Sequence, residues 1–249
     1  MSIDDKVWQR ADLSNTYLEG VRGAIPLAHE QIDIMLRLIK AAQPSPKIIL
    51  DLGCGDGILG HNILKQFPET TAVFVDFSET MLNAAKQRNS CFANTLFLEI
   101  DYGDANWVSQ LNSHFQAEPN FSAVVSGFSI HHQPDLRKKK IYKEIFDSLA
   151  SGGIFINIEH VASPTQWIES QFESLFIDSL FAYQQNMSHT QSRADVATEF
   201  YNRPDKQANI LASVTDQCRW LHDIGYDQVD TYLKVFELAV FGGIKPNDD

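Results

Sequence analysis

Five short apolar runs recur along the chain: Ile48–Leu52, Thr71–Val75, Thr95–Ile100, Phe121–Val125 and Ile154–Ile158. Each is too short and too evenly apolar for an amphipathic helix and reads as a strand buried on both faces. Between them the apolar spacing changes to the helical period. Ile58, Leu59, Ile63 and Leu64 share one face, and Ser78 is placed to cap a helix over Glu79–Lys86. Trp107–Phe115 predicts a short helix, and Tyr142, Ile145, Phe146 and Leu149 line one side of a longer one over Pro134–Ala150. Strand and helix in strict alternation predict an α/β fold with a parallel sheet covered on both sides.

The flanks extend this core. Residues 1–46 read as two helices, the first capped by Ser14 and the second with Pro26 in its first turn. In the second, Ile32, Met35, Leu36 and Ile39 should face a core. Residues 163–212 read as a helical insertion that opens at Ser163-Pro164 with Gln166 as the capping-box partner. Ile168, Phe172, Leu175, Phe176, Leu180, Tyr183 and Met187 form its apolar stripe, and its expected place is a lid over the ligand end of the sheet. Val214–Asp223 is the last helix, ended by Gly225, and two strands over Gln228–Lys234 and Glu237–Gly243 close the chain as an antiparallel hairpin. The expected division is 1–46 cap helices, 47–162 core, 163–212 lid and 213–249 last helix and hairpin.

Charge narrows the function. Against 20 Lys and Arg stand 32 Asp and Glu, a net charge of -12 in 249 residues, which opposes a general nucleic-acid binder. The run Arg137-Lys138-Lys139-Lys140 reads as the solvated side of its helix. The three cysteines are widely spaced with no CxxC pair, as in a reduced, cytoplasmic protein. No run has the length of a membrane span and the N-terminus lacks a signal-peptide core, so the expected partner is a small molecule, with no membrane and a monomer or homodimer as the assembly.

The chemistry concentrates where the first strand breaks into Asp51-Leu52-Gly53-Cys54-Gly55-Asp56-Gly57-Ile58-Leu59-Gly60. A strand, a glycine turn and a helix N-terminus make a nucleotide cradle, since glycines admit a ligand close to the backbone and the first helical amides point at it. Gly55-x-Gly57-x-x-Gly60 satisfies the dinucleotide fingerprint, but Asp51 and Asp56 would repel a pyrophosphate, and a cationic ligand suits the loop better. Asp76, at the end of the second strand, lies about 20 positions beyond the turn, the offset at which a carboxylate takes ribose hydroxyls; it also fits a helix cap. Beyond it, Phe77 and Met81 are placed to pack on a base. At the end of the fourth strand, His131 and His132 cannot both point inward from one short turn and lack the spacing of a zinc pair, so no metal is expected. One of them suits a general base, and a structural histidine bonding backbone fits equally. Glu159 and His160, after the fifth strand, are site candidates or caps of the next helix.

Asp51, Gly53, Gly55 and Gly57 match, position for position, motif I of the class I S-adenosylmethionine (SAM) methyltransferases, which the chain resembles. The resemblance implies a Rossmann-like seven-stranded methyltransferase sheet with a C-terminal antiparallel hairpin. It implies SAM as cofactor, S-adenosylhomocysteine as product and methyl transfer to O, N or C of a small molecule. It makes Asp101 the adenine acceptor with Tyr102 beside it, and it puts Ser126 and Gly127 beneath the methionine part of the cofactor. His131 falls where several such enzymes carry a histidine near the methyl group, and Glu159, at the ligand end of the fifth strand, is a second catalytic candidate. Tyr17, Arg22 and His132 would face the acceptor. The insertion and hairpin also resemble carboxy-SAM synthases, whose lid arginine would correspond to Arg203. A dinucleotide oxidoreductase and a non-catalytic SAM-binding module are the remaining alternatives.

Overall fold

The computed structural model describes residues 24–187, 190–202 and 209–248. Each apolar run becomes a strand of one seven-stranded sheet: β1 (Ile48–Leu52), β2 (Thr71–Asp76), β3 (Thr95–Glu99), β4 (Phe121–Gly127), β5 (Leu149–His160), β6 (Asp227–Val235) and β7 (Leu238–Ile244). The order is β3-β2-β1-β4-β5-β7-β6. The first five strands are parallel, and β7 enters antiparallel between β5 and β6. The strand order reverses between β1 and β4, so the connections leaving their C-terminal ends run to opposite faces of the sheet and leave a crevice, where open α/β sheets bind ligands.

Helices α1 (Ala28–Ala42), α2 (Ile58–Gln66) and α3 (Glu79–Arg88) cover one face, with Met35, Ile39, Ile63 and Leu64 fully buried against Ile49, Phe74 and Ala123. Helices α4 (Trp107–Asn112), α5 (Asp135–Ser148) and α8 (Val214–Ile224) cover the other, packing Trp107, Tyr142 and Leu221 on Leu50, Val124 and Phe241. Helix α1 therefore belongs to the sheet's own helical layer. Of its expected inward positions, Met35 and Ile39 are buried and Ile32 and Leu36 half-buried. Helix α6 (Gln166–Asn186) and α7 (Arg193–Tyr201) build a separate aromatic cluster, Phe172, Phe176, Leu180, Val196 and Phe200, that reaches the core through Leu238.

Three local expectations are corrected. Helix α6 begins at Thr165, whose hydroxyl accepts from the Ile168 amide, so Ser163 is not the cap. Its stripe takes in Ile177 and leaves Met187 exposed. The basic run on α5 is not a solvated side. Arg137 turns onto the carbonyls of Tyr102, Gly103 and Asp104 and pairs with Glu144. Lys138 is buried between Asp135 and the carbonyl of Ile210. Ser14, Tyr17, Arg22, Arg203 and Lys206 lie outside the described residues. Among the described residues, no helix is long and apolar enough to cross a membrane.

The helix that follows the glycine turn sits close to the sheet because Gly60 has no side chain: an added Cβ would stand 2.3 Å from the Phe74 ring. Phe74 is itself fully buried and stacked on Phe97 at 4.8 Å, so it cannot yield. Gly60→Ala should therefore cost about 1–3 kcal/mol by overpacking. Urea denaturation measures it, and Phe74→Leu in the same chain should return part of the loss.

Candidate active site

The glycine turn is held by carboxylates. Gly53, Gly55 and Gly57 all take positive φ (64°, 53° and 73°), conformations that cost side chains with a Cβ. At Gly53 the added atom would also strike Ser129 Oγ at 2.0 Å, because Tyr102 and Ser129 are hydrogen-bonded to one another at 2.6 Å directly beneath the turn. Asp51, 1% exposed, accepts from the Gly60 amide at 2.9 Å. Asp56 is paired with Arg88 at 2.5 Å, so its charge is balanced and does not bear on which ligand the loop takes. Asp76 accepts from the amides of Gly55 and Ser78, both at 2.9 Å, while the cap of α3 is Ser78, as the sequence suggests. Burial raises the Asp76 carboxyl to about 6, partly offset by those amides.

An added Cβ at Gly55 would meet nothing within 4 Å, so the turn opens onto space beside Asp76. That opening, a carboxylate at its edge and glycine backbone at its floor, fits the ribose and methionine portions of SAM. The remaining cofactor candidates surround it unequally. Phe77 is half-buried and Met81 buried at the start of α3. Asp101 is exposed, with its carboxylate turned to the Gly103 amide at 2.7 Å and its loop held by Arg137. Ser126 is fully buried, and its hydroxyl donates to the carbonyl of Leu52 at 2.8 Å, tying β4 to β1. The space a side chain at Gly127 would need is taken by Leu59, at 2.9 Å.

Next to this cradle a second polar cluster forms at the ends of β4 and β5. Gly127 pairs with Ile158 in parallel register, which sets the His131 turn beside Glu159. Glu159 is 1% exposed. It accepts from the His131 amide at 3.0 Å, from the His160 amide at 2.9 Å and meets His131 Nδ1 at 2.5 Å. Burial raises its carboxyl to about 7, with the His160 amide and the nearby His132, His160 and Lys138 pulling the other way. Behind it Asn157 reaches both Glu159 and Tyr142 at 3.4 Å, and Tyr142 donates to Gln217. The expectation that the two histidines cannot both turn the same way from one short turn is corrected: the His132 ring lies 3.9 Å from that of His131, tilted by 47°. The short 3-10 turn Ile130–His132 folds both imidazoles to the same side.

Sequence reasoning missed three parts of this site. The Tyr102–Ser129 bond joins two loops 27 positions apart. Arg137 was hidden in a run of like residues. Glu237, in the β6–β7 connection, binds His160 Nε2 at 2.6 Å, and its only local signal is an acidic residue directly before an apolar strand. Among the described residues, no group of His, Cys, Asp or Glu is arranged to hold a metal ion.

Residues 49–153 match the methyltransferase domain family. Carboxy-S-adenosyl-L-methionine synthase from Nautilia profundicola is 20% identical over 98% of this chain and 100% of its own. Among solved structures, an O-methyltransferase family protein from Burkholderia thailandensis superposes with a TM-score of 0.60 at 12% identity, over 87% of this chain. The chain spans only 57% of that protein's length. Magnesium protoporphyrin IX methyltransferase from Synechocystis, with S-adenosylhomocysteine bound, gives 0.56 at 13% identity, covering 89% of this chain and 85% of that one. At these identities the structures establish the fold, a Rossmann-like methyltransferase sheet.

The buried Glu159 carboxyl makes a pH prediction. Its ordinary value is 4.5 and its value in the fold about 7, so the fold favours the protonated form. Its contribution to stability is complete below pH 4.5 and lost as pH rises through 7. Urea midpoints of the wild type, relative to Glu159→Gln, should fall steadily between those limits. Parallel curves would show that Glu159 does not titrate there.

Proposed function

We propose that this protein is a SAM-dependent methyltransferase that methylates an O, N or C nucleophile of a small-molecule acceptor: residues 49–153 match the methyltransferase domain family, and the chain takes the fold of such enzymes. The observation that carries the reading is the Glu159–His131 pair standing beside the glycine cradle. Asp76 would hold the ribose, Gly53 and Gly55 would floor the methionine portion, and Phe77, Met81 and the Asp101–Tyr102 loop would border the adenine. The helices α6 and α7 would cover the acceptor.

When bound, the cofactor supplies a methyl group activated by its positive sulfur. The chain's own contribution is placement and proton handling. Glu159 engages His131 Nδ1 and so fixes the imidazole with Nε2 as the nitrogen that takes a proton. The acceptor's lone pair would take the methyl carbon, and the sulfur of the bound cofactor would keep the pair of the bond that breaks. The acceptor's proton passes to His131 Nε2. A base so placed contributes ~10²–10⁴-fold.

A second reading has its own support. The similarity to a carboxy-SAM synthase runs the whole length of both chains, beyond the methyltransferase domain itself. Mass spectrometry of ligand retained on purification separates the two: SAM or its homocysteine product supports methyl transfer, and a carboxylated cofactor supports the synthase.

Two predictions test the assignments. SAM should bind at micromolar strength and NAD should not. Asp76→Ala should weaken SAM by roughly 1–3 kcal/mol, the scale of hydrogen-bonding groups left unpaired, as read by calorimetry. Wild-type affinity would remove Asp76 from the ribose site. With an acceptor in hand, His131→Ala should lower kcat at least ~30-fold with SAM affinity nearly unchanged. Full activity in that variant would reduce catalysis here to positioning.

A further inference from the structure

The glycine turn between β1 and α2 is gripped by one unit of the fold, the end of β2 together with the C-terminal end of α3. The Cys54 amide donates to the Val75 carbonyl at 2.9 Å, and the Gly55 amide donates to Asp76 at the same distance. The next two residues are held from the far end of α3. Arg88 Nε donates to the Asp56 carbonyl at 3.0 Å, while Nη2 meets the Asp56 carboxylate, 3% exposed, at 2.5 Å. Asn89, 1% exposed at the C-cap of α3, turns its amide nitrogen to the carbonyls of Ala85 at 3.0 Å and Gly57 at 3.4 Å. Its amide oxygen lies 3.2 Å from Nδ1 of His61, on α2.

Glycine backbone does not hold its own shape. Gly53, Gly55 and Gly57, all at positive φ, give a segment with many alternative conformations, and fixing one of them costs entropy. A Cβ added at Gly55 would meet nothing within 4 Å, so that side of the turn lends it no support. At Gly57 the opposite holds: an added Cβ would stand 2.8 Å from Asn89 Nδ2 and 3.0 Å from the Ala85 side chain, so α3 lies directly against the turn. A turn already held in its ligand-bound shape binds more tightly, because the cost of ordering it falls on folding rather than on association.

We propose that Arg88 and Asn89 are positioning residues for the cofactor: from the end of α3 they lock Asp56 and Gly57, and so keep the turn shaped for the amino-acid half of SAM. They act through the turn and not on the nucleoside half, whose ribose is assigned to Asp76. The proposal rests on SAM being the ligand of this turn.

The test is calorimetry of S-adenosylhomocysteine and of adenosine with wild type, Asn89→Ala, Arg88→Gln and Arg88→Lys, with urea midpoints as the measure of folding. Asn89→Ala and Arg88→Gln should each weaken S-adenosylhomocysteine about tenfold and leave adenosine within about twofold of wild type. A merely structural role would weaken both ligands together. Arg88→Lys balances the Asp56 charge without the fork that reaches the Asp56 carbonyl. Its urea midpoint should therefore return to that of wild type while S-adenosylhomocysteine stays weakened. Asn89→Ala creates no unpaired charge and carries the test if Arg88→Gln fails to fold. Wild-type affinity in Asn89→Ala, equal weakening of the two ligands, or full recovery of S-adenosylhomocysteine binding in Arg88→Lys would each overturn the proposal. Wild type that binds adenosine but not S-adenosylhomocysteine would defeat the SAM reading itself, and the proposal with it.

Discussion

Glu159 is a carboxylate placed where carboxylates are costly. Taking it out of water stabilises the fold only if the surroundings return what solvation gave. Here the return comes from both neighbouring strands: the His131 amide and ring from the turn after β4, the His160 amide from β5 itself, and Asn157 from one pleat earlier. One side chain therefore fixes the distance between two strand ends, the direction of the His131 ring and the path of the chain into the insertion. The parallel register that puts Gly127 opposite Ile158 makes this possible, since it brings the turn and the carboxylate level with each other.

The rest of the site is braced in the same manner, by polar groups that serve the backbone before any ligand. Asp51 takes the Gly60 amide, Asp76 takes those of Gly55 and Ser78, and Arg137 gathers the carbonyls of the loop after β3. Lys138 holds the carbonyl of Ile210, whose own amide donates to the His131 carbonyl at 3.0 Å. The segment returning from the insertion is thereby stitched to the turn that carries the proposed base. Such bracing limits rearrangement when a ligand arrives, which is how proximity and orientation become large rate terms.

What could be read from the chain alone follows from which interactions are local. The apolar runs specified the parallel strands because burial in the sheet leaves a near-continuous apolar pattern, and the hairpin declared itself by an alternating segment joined through a short connection to the buried run of β7. The glycine turn was legible because positive φ and close approach demand glycine at fixed spacing. The His131 turn was only half legible: its location followed from the strand end, but the tilted contact of the His132 ring with His131 depends on a 3-10 turn that leaves no periodic trace. Arg137 and Lys138 look like their exposed neighbours Lys139 and Lys140, and only the loops they meet, 33 to 72 positions away, turn them inward. The His160–Glu237 bond spans 77 positions and joins the end of β5 to the connection that leads into β7, its antiparallel neighbour, so no spacing rule could have found it.

The account turns on the proton between Glu159 and His131, and nitrogen-detected NMR of the imidazoles reads it directly. At pH 8, above the raised Glu159 value, His131 should carry its proton on Nδ1 with Nε2 as the bare nitrogen, and Glu159→Gln should disturb that assignment without altering the His160 ring. A proton found on Nε2 of His131, with Nδ1 bare against the carboxylate, would contradict the orientation of the base on which the catalytic reading depends.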